Sequence, residues 1–215
     1  MGLAQQRPVS SLLNSFEASP SSLLISHQGM LCHVEISLEY GLKSDSRPLA
    51  RNTLINEAVE LLISYPNQYD YWEIVNLAIT QQLLETYPQL EHVTLRLEML
   101  PHEQTHYYRV STVTRWADGR VNESWRFEIE DMPIQGRPSK TVISYVYKDA
   151  AGYPDYLDIH RQLMDYLASP VNSDAPSEQL EATLAQHLLE SYAEAIAQVT
   201  VELRSVERLG SWHSR

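Results

Sequence analysis

The sequence predicts an α+β protein made of two tandem units, each an antiparallel β-sheet with two consecutive helices on one face. Two observations carry this prediction. Segments with strand periodicity come in pairs, separated by pairs of amphipathic helices. In addition, Leu83–Tyr87 (LLETY) returns as Leu188–Tyr192 (LLESY), and Val93–Leu97 (VTLRL) returns as Val199–Leu203 (VTVEL). The offsets are 188 − 83 = 105 and 199 − 93 = 106 in a chain of 215 residues, which indicates a duplicated unit.

The composition is that of a globular protein, and it argues against several kinds of partner. Hydrophobic residues make up 43% of the chain and charged residues 20%, as is usual for a protein with a sizeable core. A formal net charge of −12 argues against nucleic acids and anionic membranes, because both attract Lys and Arg. The chain has one cysteine, Cys32. Its first residues are not a basic segment followed by an apolar one, and it has no apolar run of ~20 residues. These features predict a cytoplasmic protein without a membrane span.

The elements of the first unit follow from periodicity and from helix-capping and helix-breaking residues. Residues 1–22 are rich in Ser, Gln and Pro, which predicts a mobile N-terminal arm. Asn52 or Thr53 is expected to cap the first helix. Pro88 ends the second helix, because proline cannot continue the helical hydrogen-bond ladder. The first unit, residues 23–117, is predicted to contain strands over 23–26 and 30–42, helices over 52–64 and 71–87, and strands over 93–97 and 104–116.

The second unit, residues 118–215, begins at Asp118-Gly119, a strong two-residue hairpin signal. Ser177 is expected to cap its last helix. The predicted elements are strands over 121–131 and 141–148, a helix from 156 to 167, a helix from 177 and a strand over 198–206, with turns or loops over 133–138 and 170–176. Each unit alone leaves sheet edges exposed. We therefore expect the units to assemble into a barrel, in a homo-oligomer of two or four chains.

This order of elements resembles the tunnelling fold (T-fold) of pterin- and purine-binding enzymes, which include dihydroneopterin aldolase, pyruvoyl-tetrahydropterin synthase, GTP cyclohydrolase I and urate oxidase. Two units in one chain resemble urate oxidase. The local sequence is more similar to dihydroneopterin aldolase, whose second helix opens with a glutamate after large apolar residues. Trp72-Glu73 matches that pattern, ten positions before the LLETY segment. Asp155-Tyr156 matches the start of the aldolase's first helix, whereas Asn52 in the first unit has no tyrosine after it.

The resemblance implies that Glu73 anchors a ring through a pair of hydrogen bonds. Pterins and guanine-like rings present an N–H and an exocyclic amine side by side, and a carboxylate can accept both. In the second unit the alignment of the LLESY segment selects Glu178, whereas the local helical pattern selects Glu181. Tyr156 is expected to line a site. The alternative for each acid is a place in the first turns of a helix, where the macrodipole favours negative charge.

Two departures from these families bear on catalysis. The aldolase carries a lysine followed by a proline after its second helix, whereas this chain has Glu98-Met99-Leu100-Pro101 and, in the second unit, Arg204. Arginine stays protonated and is a poor base, so the resemblance does not imply the aldolase reaction. The threonine-aspartate pair of urate oxidase is also missing, since Arg47-Pro48 stands near its place; only Arg51-Asn52-Thr53 resembles that enzyme.

The sequence predicts no metal site and no cofactor. His27, Cys32 and His33 are the one Cys/His cluster. Cys32 and His33 are adjacent on a predicted strand, so their side chains point to opposite faces of the sheet. His102 and His106 flank a turn. Buried or surface roles are therefore expected for these residues.

Two functional hypotheses remain at this point. In the first, a T-fold protein without the usual catalytic lysine binds a pterin- or purine-like heterocycle at interfaces between units or subunits, through Glu73, Tyr156 and either Glu178 or Glu181. If it is an enzyme, its chemistry is aldolase-like or another pterin or purine reaction without a metal. In the second, the duplicated units form a non-catalytic assembly or a ligand carrier.

Overall fold

The computed structural model describes residues 15–50, 52–103, 105–134, 137–148, 152–168 and 176–205. These residues form strands and helices in the predicted order. The elements are β1 (Ser15–His27), β2 (Met30–Leu42), α1 (Thr53–Ile63), α2 (Trp72–Thr86), β3 (Leu90–Met99), β4 (Tyr108–Trp116), β5 (Val121–Ile134), β6 (Arg137–Tyr147), α3 (Tyr156–Leu167), α4 (Ser177–Ser191) and β7 (Ile196–Ser205).

All seven strands belong to one antiparallel sheet, and their order in the sheet is their order along the chain. The β1–β2 turn uses Gln28 and Gly29, both with positive φ, and the β4–β5 turn uses Gly119 with φ 92°. Each helix pair connects two strands that are neighbours in the sheet, β2 with β3 and β6 with β7. The sheet is not closed within the described residues, because β1 and β7 are its edges. Assembly into a barrel therefore stays a prediction.

The internal repeat is present in the structure. Helices α2 and α4 have fifteen residues each, and 177 − 72 = 105 and 191 − 86 = 105 give the same offset at both ends. Strands β3 and β7 have ten residues each and lie 106 positions apart. The LLETY and LLESY segments thus occupy the same end of equivalent helices. The boundaries proposed for the two units stay a prediction.

The helices cover one face of the sheet, where the core lies. A row of paired residues crosses this face from β2 to β7: Ile36, Leu97, Ser111, Trp125, Tyr145 and Val199. From α2, Val75, Ile79 and Leu83 are buried, and α4 contributes Leu180, Leu184 and Leu188. Burial of these spaced apolar positions is the main stabilisation of such a helix.

The other face of the sheet is polar and is called the open face below. It carries ion pairs between neighbouring positions on the strands. The partners are Arg96 with Glu98, Arg126 with Glu128, Lys140 with Glu128 and Glu130, and Arg204 with Glu202. The strands therefore alternate between an apolar, helix-covered face and a charged face, as their period-two patterns predict.

Several boundaries differ from the sequence expectation. Strand β1 begins at Ser15 rather than at Leu23, so part of the expected mobile arm belongs to the sheet; residues 1–14 lie outside the described residues. Asn52 occupies the cap position of α1 with φ 68°, but its side chain makes no capping bond. Pro176, not Ser177, is the N-cap of α4. Most of the expected 170–176 loop, and residues 135–136 of the expected 133–138 turn, lie outside the described residues.

Candidate functional site

The starts of α2 and α3 meet above the central strands β4 and β5 and enclose a cavity of about 190 Å³, called the first cavity below. The lining combines residues from both halves of the sequence. Its principal side chains are Trp72, Glu73, Arg109, Trp125, Asp155 and Tyr156.

Glu73 is the second residue of α2 and is buried, with 4% of its surface exposed. Its Oε1 accepts a hydrogen bond of 2.6 Å from the hydroxyl of Tyr147. Burial raises the pKa of Glu73 to about 6, while the Tyr147 hydrogen bond and the charge of Arg109 act in the opposite direction. Glu73 is therefore a buried carboxyl group that changes charge near neutral pH.

Arg109 brings a buried positive charge to the same cavity, with 2% of its surface exposed. Its Nη1 donates to the Tyr156 hydroxyl at 3.4 Å, and its guanidinium lies 5.4 Å from the centre of the Tyr156 ring. Its Nε has no hydrogen-bond partner among the described residues. The ion pairs of the described residues do not include one between Arg109 and Glu73. Both groups therefore keep hydrogen-bonding capacity for a ligand.

Aromatic side chains form the apolar walls of the first cavity. The ring of His27 packs on that of Trp72 at a centroid distance of 4.1 Å, and His27 Nε2 donates to the Asp70 carbonyl at 2.8 Å. Burial, the largest influence, lowers the pKa of His27. The indole N–H groups of Trp72 and Trp125 have no partner among the described residues, which is uncommon for buried donors.

The start of α3 is fixed by a helix cap. The Asp155 carboxylate accepts the backbone N–H of Leu157 at 2.9 Å. The Tyr156 ring then packs edge-on against Tyr107 at 5.1 Å and lies 5.8 Å from Phe127. Capping and aromatic packing together hold Tyr156 over the central strands.

A second cavity of about 260 Å³ is lined by Tyr147, the tyrosine whose hydroxyl donates to Glu73. It is bordered by Leu77, one helical turn after Glu73, and by Glu123, Tyr147 and Tyr153. The Tyr153 hydroxyl donates to Glu123 Oε2 at 3.2 Å. Burial, and secondly the negative charge of Glu73, raise the pKa of Glu123 to about 7. Two carboxyl groups with raised pKa values are thus close to Tyr147: Glu73 accepts its hydroxyl, and Glu123 lines the same cavity as its ring.

The predicted site residues fall into two groups. Glu73 and Tyr156 line the first cavity together. Glu178 is exposed in the first turn of α4, and Glu181 accepts the backbone N–H of Leu203 at 2.6 Å. Neither belongs to the lining of the first cavity.

Sequence reasoning missed three polar residues of the two cavities, Arg109, Glu123 and Tyr147. A signal for two of them exists in the strand periodicity. Glu123 shares the helix-covered face of β5 with Trp125, Phe127 and Ile129, and Arg109 is paired with Phe127 on the same face. Charged residues at core-facing strand positions mark a candidate polar site.

Glu98, the first residue of the Glu98-Met99-Leu100-Pro101 segment, lies on the open face. Glu98 accepts a hydrogen bond from Tyr108 and pairs with Arg96 at 2.7 Å. Burial raises the pKa of Glu98, but the hydrogen bonds from Arg96 and Tyr108 outweigh it, and the net pKa lies below its usual value. Glu98 is therefore held as an ionised partner of its neighbours.

His27, Cys32 and His33 do not share a site. Cys32 is buried, and His33 hydrogen-bonds to Ser22. In the described parts of the chain, no group of three or more His, Cys, Asp or Glu residues is arranged to hold a metal ion. The described helices are also too short or too polar to cross a membrane.

The fold is similar to that of solved urate oxidases. The uricase of Bacillus fastidious matches with a TM-score of 0.57 and 11% identity, over 90% of this chain and 91% of that chain. A hyperthermostable mutant of the Bacillus sp. TB-90 urate oxidase matches with a TM-score of 0.62 and 15% identity, over 90% and 88%. No family model and no curated protein matches the sequence. At these identities the likeness is one of fold alone: the chain has the T-fold seen in these urate oxidases.

Proposed function

We propose that the chain binds a compact planar heterocycle of the purine or pterin class in the first cavity. Glu73 accepts ring N–H groups, and Arg109 donates to a ring carbonyl oxygen. The observation that carries the proposal is a buried carboxylate and a buried guanidinium that line one aromatic cavity without forming an ion pair. A lactam or amidine edge offers the matching donors and acceptors side by side.

The size and walls of the cavity support a small, flat ligand. A volume of about 190 Å³ lies below the roughly 300 Å³ at which pockets for drug-sized ligands begin. Trp72, Trp125 and Tyr156 supply aromatic surface for contact with a ring. The fold likeness to urate oxidases, proteins named for a purine substrate, favours the purine class. The pterin class and the closer resemblance to dihydroneopterin aldolase stay predictions, as does the homo-oligomer.

Protonation sets the hydrogen-bonding pattern of the anchor. With a pKa of about 6, Glu73 is mainly ionised above neutral pH and then accepts hydrogen bonds only. Below pH 6 it gains a proton and offers one donor, which no longer matches two adjacent N–H groups. Binding of a neutral ring through two N–H groups is therefore stronger at pH 8 than at pH 5.

The second candidate function is a ligand carrier without catalysis. The observation that favours it is the Glu98-Met99-Leu100-Pro101 segment, which has no lysine and whose Glu98 is engaged by Arg96 and Tyr108. A carrier binds the ring in the first cavity and leaves it unchanged.

A thermal-shift screen tests the proposal. Guanine, xanthine, urate and pterin are added to the wild type, to Glu73→Gln and to Glu178→Gln, whose residue is exposed on α4. We expect one ring class to raise the melting temperature of the wild type and of Glu178→Gln. Binding at 100 times Kd stabilises by about 2.7 kcal/mol. We expect no shift for Glu73→Gln.

Two further results decide between the hypotheses. The ultraviolet spectrum of the bound ring is followed over hours: a change that needs the protein indicates an enzyme, and a constant spectrum indicates a carrier. Equal shifts in the wild type and Glu73→Gln, or no shift with any ring, would refute ring binding at Glu73.

A further inference from the structure

Glu123 occupies a strand position on a face of β5 whose next positions carry apolar side chains. It lies two residues before Trp125 on the helix-covered face of β5, in phase with Phe127 and Ile129. Its neighbour across β4 is Val113. A carboxyl group at such a position has a desolvation cost that an apolar residue avoids. Its presence needs a reason other than core packing.

The two carboxylate oxygens of Glu123 differ in their hydrogen bonds. Oε2 accepts the Tyr153 hydroxyl, whereas Oε1 is buried and has no hydrogen bond among the described residues. The Nε of Arg115 is likewise buried without a partner among the described residues, but Arg115 forms no ion pair with Glu123 there, and two other donors are engaged elsewhere. Tyr147 donates to Glu73, and Lys148 donates to the Ala193 carbonyl. A donor inside the second cavity would satisfy the free oxygen.

The walls of the second cavity add aromatic surface to the carboxylate. Tyr147 and Tyr153 line it and pack edge to face at a centroid distance of 5.0 Å. A carboxylate beside tyrosine rings is a favourable environment for an organic cation, because the ring face and the carboxylate both attract positive charge. We propose that the second cavity binds a compact organic cation with N–H donors, a protonated primary amine or an amidinium, against Glu123.

The charges that face Glu123 come from several elements. Glu73 on α2 acts on it as a second negative charge. Arg115 on β4 lowers the pKa of Glu123, but its Nη2 donates to the Leu77 carbonyl at 3.4 Å, not to Glu123. Tyr153 donates its hydroxyl to Glu123, and Lys148 lines the cavity from the end of β6. No ion pair with Glu123 occurs among the described residues, so the carboxylate is available to a ligand.

Cation binding at Glu123 is linked to its proton. Burial, and then Glu73, raise the pKa of Glu123 to about 7. The group is therefore roughly 90% ionised at pH 8 and roughly 10% ionised at pH 6. A cation binds the ionised form, so its affinity falls about tenfold from pH 8 to pH 6. At pH 7 binding releases a fraction of a proton to the buffer.

Isothermal titration calorimetry tests the site with methylammonium and acetamidinium chloride, and with sodium acetate as the probe of opposite charge, at constant ionic strength. We expect the wild type to bind a cation at pH 8 and not to bind acetate. We expect affinity about tenfold weaker at pH 6, and heats at pH 7 that change with the ionisation enthalpy of the buffer. Glu123→Gln should lose at least tenfold in affinity at pH 8, and Glu178→Gln should bind as the wild type does.

The test is independent of the ring proposed for the first cavity. Glu73→Gln should lose the ring but keep the cation, and its pH profile should move to lower pH because the charge that raises the pKa of Glu123 is gone. Circular dichroism checks the fold of each variant. If Glu123→Gln does not fold, the difference in wild-type cation affinity between pH 8 and pH 6 and the proton release of the wild type still test the proposal. No binding at tens of millimolar, equal binding by a folded Glu123→Gln, or affinity independent of pH would overturn the proposal.

Discussion

The burial of Glu73 makes a quantitative prediction about stability and pH. Its pKa is about 6 in the native state, against an ordinary value of 4.5. As pH rises, the unfolded chain loses this proton first, so the native state binds more protons between these values and its stability falls with pH. The stability that the protonated group contributes is fully present below pH 4.5 and is lost as pH rises through 6. The total is about 2 kcal/mol.

The variant Glu73→Gln removes this titration. Glutamine still offers a carbonyl oxygen to Tyr147. We expect the free energy of unfolding of the wild type to fall between pH 5 and pH 8 by about 1 kcal/mol more than that of Glu73→Gln, because part of the change already lies below pH 5. The variant also removes the charge that raises the pKa of Glu123, which adds to the difference in the same direction.

Urea unfolding followed by tryptophan fluorescence measures the effect at several pH values. Glu178→Gln, with its exposed side chain, serves as the matched control and should keep the pH profile of the wild type. Parallel stability profiles for the wild type and Glu73→Gln would show that Glu73 is not desolvated in the native protein, and would refute the reasoning.

Two further variants test the groups around the first cavity. Tyr147→Phe removes the hydroxyl that donates to Glu73. We expect urea unfolding to show a free energy of unfolding lower by about 1–3 kcal/mol at pH 8 and a smaller decrease at pH 5. An equal decrease at both pH values would contradict this role. Asp155→Ala removes the side-chain N-cap of α3 and should lower the free energy of unfolding by about 1 kcal/mol. Ser177→Ala, one residue after the N-cap Pro176 of α4, should change the free energy of unfolding by less than about 0.5 kcal/mol; equal losses would refute the cap assignment.

The sequence predicted the element order well because the strands and helices carry clear periodicities. Met30–Leu42 alternates apolar and polar residues, and the structure gives β2 the same bounds. Pro88 and the LLETY segment marked the end of α2, which is Thr86 in the structure. Strand β1 was harder to predict, since the part before Leu23 contains Ser and Pro residues without alternation. Its pairing with β2 supplies the order that local sequence does not specify.

Of the candidate site, the sequence predicted Glu73 and Tyr156 but not Arg109 and Glu123. Glu73 and Tyr156 were found through short motifs, but their meeting in one cavity depends on the pairing of β4 with β5. Arg109 and Glu123 bear no motif. Their functional interest comes from the burial of Arg109 and the half-burial of Glu123, which depend on the face that each strand turns to the helices. The alternation of residues along a strand shows which side chains share a face. It does not show which face the helices cover unless the pairing with neighbouring strands is known, so a single sequence leaves the burial of such residues ambiguous.

The two halves of the chain show why a repeated helix does not repeat its site. Glu73 and Glu178 are each the second residue of a fifteen-residue helix, yet Glu73 is buried and Glu178 exposed. Helix α2 packs on β3 and β4 in the middle of the sheet, where the start of α3 closes the cavity over it. Helix α4 packs on β7, the edge of the described sheet, where no later described element covers its start. Burial of the second residue of this helix thus depends on the elements that follow it in the same sheet. Within the described residues, such elements follow α2 but not α4.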